Sequence, residues 1–149
     1  MRIAFFDFDK TLIARNSATL WVRYELRHHN ITKWQALKGA FWLLRYHLGA
    51  SEMSAAFAES LRIVGGQRET DMVERVQHFY DTEVRHLVRP GGLEAIARHR
   101  ESGDRVVLLT TATRYLAEPV MRDLNLDGFV CTVLEVDGDG RFTEIGRAH

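Results

Sequence analysis

The residues of this chain best suited to chemistry are Asp7-Phe8-Asp9-Lys10-Thr11-Leu12. Two carboxylates two residues apart at the end of a strand can face the same crevice. Such a pair binds Mg2+, a hard cation that takes oxygen ligands and keeps several waters. It can also divide labour, one carboxylate serving as nucleophile and the other as acid and base. A lone Asp-x-Asp tripeptide is usually a solvated turn, but two features of context raise this one above that reading. The apolar run Ile3-Ala4-Phe5-Phe6 leads directly into it, and a second run, Val106-Val107-Leu108-Leu109, ends far along the chain in Thr110-Thr111. Neighbouring parallel strands would bring the two polar ends together. The other reactive side chains carry less. The seven histidines show no His-x-x-x-His spacing, and Asp137 and Asp139 belong to a Gly-rich turn. Cys131 is the single cysteine and reads as an ordinary thiol in a strand, so neither an internal disulfide nor a Cys-based metal site is available.

The elements that must position these groups fall into three stretches. Residues 1–14 hold a short buried strand ending in the carboxylates, at the end where open α/β sheets bind ligands. Residues 15–89 read as helical throughout. A first helix starts near Asn16-Ser17 and runs through Trp21 and Tyr24. Thr32 caps a second that carries Trp34, Leu37, Phe41, Leu44 and Leu48 at spacings of three and four. Ser51 caps a third with Met53, Phe57 and Leu61, stopped by Gly65-Gly66. A fourth carries Met72, Val73, Val76, Phe79, Tyr80, Val84 and Leu87 and ends before Pro90. Four helices in a row between two strands imply an inserted helical subdomain rather than a simple crossover. The aromatic stretch Phe41 to Tyr46 is read as packing within it, and Arg15, Arg23, Arg27 and Arg45 are its candidates for meeting a substrate. Residues 90–149 return to alternation: a helix after Pro90, the strand into Thr110-Thr111, a helix through Leu116, Val120 and Leu124, a strand over 129–134, and a turn at Asp137 to Gly140 leading into Arg141-Phe142-Thr143. The fold class this predicts is α/β, a parallel sheet with an inserted helical cap.

The composition sets the bounds. The 149 residues suit one domain, and 46% hydrophobic with 27% charged residues is a globular balance. Twenty basic residues offset twenty acidic ones, which argues against a dedicated nucleic-acid binder. Asp7 interrupts any N-terminal apolar stretch, and the longest run without a polar side chain, Gly39 to Leu44, is far short of the ~20 residues of a membrane span. A cytoplasmic protein without a membrane span is the expectation.

Phe5-Phe6-Asp7-Phe8-Asp9-Lys10-Thr11-Leu12 resembles the first motif of the haloacid dehalogenase (HAD) superfamily, and Val106 to Thr111 resembles its second. The helical insert, Thr111-Ala112-Thr113, Leu116-Ala117-Glu118-Pro119-Val120, Leu134-Glu135-Val136 and Gly140-Arg141-Phe142-Thr143 are similar to the phosphoserine-phosphatase-like branch. The resemblance implies a Rossmann-like core over residues 1–14 and 90–149 and a cap over 15–89. It implies a Mg2+-dependent phosphomonoester hydrolase acting on a small phosphorylated metabolite. Asp7 would become an aspartyl phosphate and Asp9 would act as acid and base. Asp7 and Asp9 would hold the metal, while Thr111 and the amides of Ala112 and Thr113 would bind the phosphate. Thr110 is the competing hydroxyl, and Thr11 is expected to support the loop rather than touch substrate. Phosphotransfer to another acceptor, or halide as leaving group, uses the same Asp7, but halide departure has no need of Asp9.

The family also carries a Lys motif and an acidic motif beyond the Gly-Arg-Phe-Thr segment. This chain has no Lys after Lys38, so a tail of roughly 60 residues with two more strands is expected to be missing. The alternative reading is a truncated or degenerate HAD domain with little or no activity, retaining at most phosphate and metal binding.

Overall fold

The computed structural model describes residues 2–47 and 62–143. Its order is β1 (Ile3–Asp7), α1 (Ser17–Arg27), α2 (Lys33–His47), α3 (Glu69–Phe79), α4 (Pro90–Glu101), β2 (Arg105–Thr113), α5 (Arg114–Asp123) and β3 (Gly128–Thr132). The strands form one parallel sheet in the order β1-β2-β3, with Phe5 opposite Val107 and Leu109 opposite Val130. This is the α/β architecture that the two apolar runs predict. No helix among the described residues is long and apolar enough to cross a membrane.

The chain divides into two compact units. One comprises Met1–Leu20 and Val73–Val133, the other Trp21–Met72 and Leu134–Ala148. These limits do not coincide with the boundaries at 14/15 and 89/90 drawn from sequence. Residues 73–89 belong with the sheet because Val76, Phe79, Tyr80 and Val84 are buried in that unit, and Val88 bridges Ile13. Residues 134–143 belong with the second unit through backbone bonds from Gly66 to Phe142, Glu69 to Gly140 and Phe142 to Gln67. The turn at 137–140 is formed as the Asp-Gly pattern predicts: Asp137 Oδ1 accepts the amides of Asp139 and Arg141, and Val136 pairs with Phe142.

In the first unit the alternation of each strand decides what is covered. Val106 and Leu108 face α4 and α5 and are fully buried, and Phe6 meets the His99 ring edge-on at 5.7 Å. The opposite face carries Ile3, Phe5, Leu109 and Val130, and Phe5 is 57% exposed. Parallel sheets are usually covered on both sides; among the described residues this one is covered on one. Gly92 lets α4 start close to the loop after β1, since a Cβ there would meet Leu12 Cδ2 at 3.0 Å.

The helices depart from expectation in two ways. The fourth predicted helix does not run unbroken to Leu87: α3 stops at Phe79, a π-helical turn spans Tyr80–Val84 and a tighter 3-10 turn spans Arg85–Leu87. The wider turn seats both Tyr80 and Val84 in the core. Thr32 caps α2 through a reciprocal pair, Thr32 Oγ1 accepting the Gln35 amide at 3.2 Å and Gln35 Oε1 accepting the Thr32 amide at 2.8 Å. Yet Trp34, Leu37 and Phe41 on that helix stay more than half exposed, because periodicity defines a face and not what covers it. The helix predicted from Ser51 to Leu61 lies outside the described residues.

Candidate functional site

The apolar run of β1 ends in a carboxylate, and the chain then turns sharply. Phe8 accepts the amides of Thr11 and Ile13 at its carbonyl, and Lys10 takes a left-handed conformation (φ 60°) uncommon for a non-glycine residue. Phe8, Leu12 and Ile13 are buried while Asp7 and Thr11 stay exposed and Asp9 is half-buried. The burial of three apolar side chains therefore fixes the loop that presents the polar ones. Thr11 Oγ1 donates to Asp7 Oδ2 at 3.0 Å. Asp9 accepts the Ser17 amide at Oδ1 (2.6 Å) and the Ser17 hydroxyl at Oδ2 (3.0 Å).

The β1–β2 register sets Asp7 opposite Leu109, so Thr110 and Thr111 follow immediately beyond it on the neighbouring strand. Thr110 is buried, and its hydroxyl accepts the Ala112 amide at 3.1 Å. Thr111 is exposed, and its carbonyl accepts the Thr132 hydroxyl at 2.8 Å. Between Leu109 and Thr113 the β2–β3 ladder shifts register. Such bulges recur beside active sites, where they re-aim side chains. Ala112 and Thr113 end β2, and Thr113 is at the same time the N-cap of the helix that begins at Arg114. The Ala112 amide donates to Thr110 Oγ1 in this arrangement.

The electrostatics of this end are one-sided. Among the described residues no Lys, Arg or His pairs with Asp7 or Asp9. The carbonyl of Asp9 accepts no hydrogen bond among them. Two carboxylates and an unused carbonyl are hard oxygen donors, so their chemistry fits Mg2+ with waters completing its shell. No group of three His, Cys, Asp or Glu gathers around a metal position among the described residues. Asp137 is occupied by its own turn, and burial pushes the Cys131 thiol above its usual range, which leaves it protonated.

A second polar cluster lies where α5 ends, beside the starts of the strands. Tyr80 donates to Asp123 Oδ2 at 2.6 Å, and Arg85 reaches the same oxygen at 3.4 Å and Asp81 at 2.9 Å. Arg122 donates to Gln77 at 2.7 Å. An open cavity of about 450 Å³ is lined by Gln77, Arg85, Pro119, Arg122 and Asp123. Asp123 there is balanced by Arg85, and Arg122 is engaged by Gln77, so it is a poorer candidate for chemistry than the strand end, whose carboxylates no basic side chain pairs among the described residues.

Ser17 is the residue that the sequence left unconnected to the site. Its position at a helix start is legible, but its contact with Asp9 depends on the path of the loop between them.

Comparison with known proteins relates the chain to a family and a fold. The family model for haloacid dehalogenase-like hydrolases matches residues 4–149. Phosphoserine phosphatase SerB1 of Mycobacterium tuberculosis is 28% identical over 144 residues, covering 94% of this chain and 46% of that protein. A Bordetella pertussis protein of unknown function superposes with a TM-score of 0.86 at 21% identity, covering 98% of this chain and 66% of the other. A phospho-aspartyl intermediate analogue of phosphoserine phosphatase superposes with a TM-score of 0.63 at 16% identity, covering 99% and 63%. The chain spans about half the length of the curated relatives it matches, from 46% to 64%.

Proposed function

The chain belongs to the haloacid dehalogenase-like hydrolases, and from that premise we propose that it carries the nucleophile and the acid/base of a Mg2+-dependent phosphomonoester hydrolase. The observation that carries this reading is the Asp7–Asp9 couple at the end of β1, which no basic side chain pairs among the described residues, beside the Thr110-Thr111 end of β2.

Asp7 Oδ2 is held by Thr11, which leaves Oδ1 to attack phosphorus. The O–P bond to Asp7 forms as the ester O–P bond breaks, and Asp9 hands its proton to the departing alcohol oxygen. Asp9 then takes a proton from water as that water attacks the aspartyl phosphate, which frees phosphate and restores the Asp7 carboxylate. The exposed Thr111 is the hydroxyl assigned to a phosphate oxygen. An Asp7 oxygen and the Asp9 carbonyl would hold Mg2+, which would offset the repulsion of an anionic nucleophile and an anionic ester. The substrate class is a small cytoplasmic phosphate ester.

The test is phosphate release from an aryl phosphate with Mg2+, using the chain extended to the length of its relatives. Turnover that depends on Mg2+ and disappears in Asp7→Asn is expected; turnover indifferent to Asp7→Asn would sink the mechanism. The alternative is a domain that binds phosphate and metal with little turnover. It is favoured by the lack of any ion pair to Asp7 among the described residues, since charge stabilisation is usually the largest catalytic contribution. Assaying the 149-residue chain beside the extended one separates the two: equal rates exclude the alternative.

A further inference from the structure

Resting on the phosphatase reading above, we propose that Ser17 is a positioning residue for the acid/base carboxylate of Asp9, and thereby decides which phosphate esters the site can cleave. Both oxygens of Asp9 are engaged by this one residue, Oδ1 by its amide at 2.6 Å and Oδ2 by its hydroxyl at 3.0 Å. Ser17 is 3% exposed, and its buried hydroxyl needs a partner, which Asp9 provides.

Capping α1 does not require the Ser17 hydroxyl. Asn16 does that work, its Oδ1 accepting the Thr19 amide at 3.0 Å and the Thr19 hydroxyl at 3.2 Å. Ser17 is left to face the strand end. The loop is shaped to deliver it: the left-handed Lys10 turns the chain, and the Lys10 amide closes on the Arg15 carbonyl at 3.2 Å. An aspartate side chain rotates about two bonds; a two-point hold on its oxygens removes that freedom. Each carboxyl oxygen has two lone-pair sites, so Asp9 can carry its proton toward the leaving oxygen while Ser17 keeps both contacts.

A carboxylate fixed in this way matters most when the leaving oxygen is strongly basic. An alkoxide cannot depart without a proton, whereas a nitrophenolate departs unaided. Ser17 therefore governs phosphoryl transfer from alkyl phosphates and is nearly silent on transfer from activated aryl phosphates, while the later attack of water, which Asp9 assists, is common to every ester.

Wild type, Ser17→Ala and Ser17→Thr of the extended chain are compared on phosphoserine, phenyl phosphate and p-nitrophenyl phosphate. Ser17→Ala is expected to lower kcat/KM, which reports the transfer step, roughly 10- to 100-fold on phosphoserine and less than about 3-fold on p-nitrophenyl phosphate. Ser17→Thr, which keeps the hydroxyl, is expected to restore the wild-type ratio. A loss equal across the three esters, or none, overturns the assignment while leaving the phosphatase reading intact. Absence of Asp7-dependent turnover in the wild type overturns that reading and this one together. Amide exchange in the wild-type protein judges the contact even if Ser17→Ala fails to fold. The Ser17 amide should exchange slowly and speed up in Asp9→Ala; fast exchange in the wild type overturns the contact.

Discussion

The two ends of the sheet-bearing unit each hold an aspartate gripped by a hydroxyl, yet they are built for different ends. Asp123 is held by Tyr80 and balanced by Arg85, which also reaches Asp81. Asp9 is held by Ser17, and no basic side chain among the described residues balances either it or Asp7. Charge balance suits a joint that keeps the π-helical turn against α5. Unbalanced carboxylates cost stability through their repulsion, and proteins keep such groups where a ligand supplies the missing charge. Polarity, burial and cavity volume do not separate the two clusters: the 450 Å³ cavity is at the balanced end. Net charge does.

Four experiments can break or sharpen that contrast. The largest effect is expected from Asp9→Asn, which should lower kcat by about 10²–10⁴-fold. Asp123→Asn should leave kcat unchanged, and an equal loss from both, read by phosphate release, would erase the distinction. Tyr80→Phe removes a hydrogen bond to a charged group and should cost about 1.5–3 kcal/mol in urea unfolding, with kcat unaltered. Mg2+ at ten times its dissociation constant should stabilise the wild type by about 1.4 kcal/mol. The same should hold for Asp123→Asn but not for Asp7→Asn, and thermal unfolding with and without the ion checks this.

The smallest effect is one of pH. Burial, followed by Asp123, raises the Tyr80 phenol well above its usual value of about 10. Because the folded value is the higher one, the contribution of Tyr80 is complete below pH ~10 and is lost as pH rises through the folded value. Stability should therefore fall above pH ~10 in the wild type, and Tyr80→Phe should flatten that fall.

Legibility followed the length of chain each feature needs. Ile3 to Phe6 and Val106 to Leu109 are continuous apolar runs, and buried strands show themselves that way because both ends of the signal lie within a few residues. Thr32 could be read as a cap because its partner Gln35 is three residues away. The hairpin at 137–143 was legible for the same reason. The fate of Trp34, Leu37 and Phe41 was not, because exposure depends on what another part of the chain brings to that face. The π-helical turn was hidden too. Met72 to Leu87 keeps helical spacing throughout, and only the seating of Tyr80 and Val84 in the core demands an extra residue in the turn.

By itself, the sequence determined the chemistry on offer and its family: an Asp-x-Asp at a strand end, a second strand ending in threonines, and a helical stretch between them. Those are matters of residue identity and near spacing. The tertiary structure alone decided which groups are paired. It joined Asp9 to Ser17 across a turn of eight residues, Asp123 to Tyr80 across 43, and Arg141 to Gly66 across 75. A hydrogen bond acts over about 3 Å, and a linear sequence holds no record of which distant residues come that close.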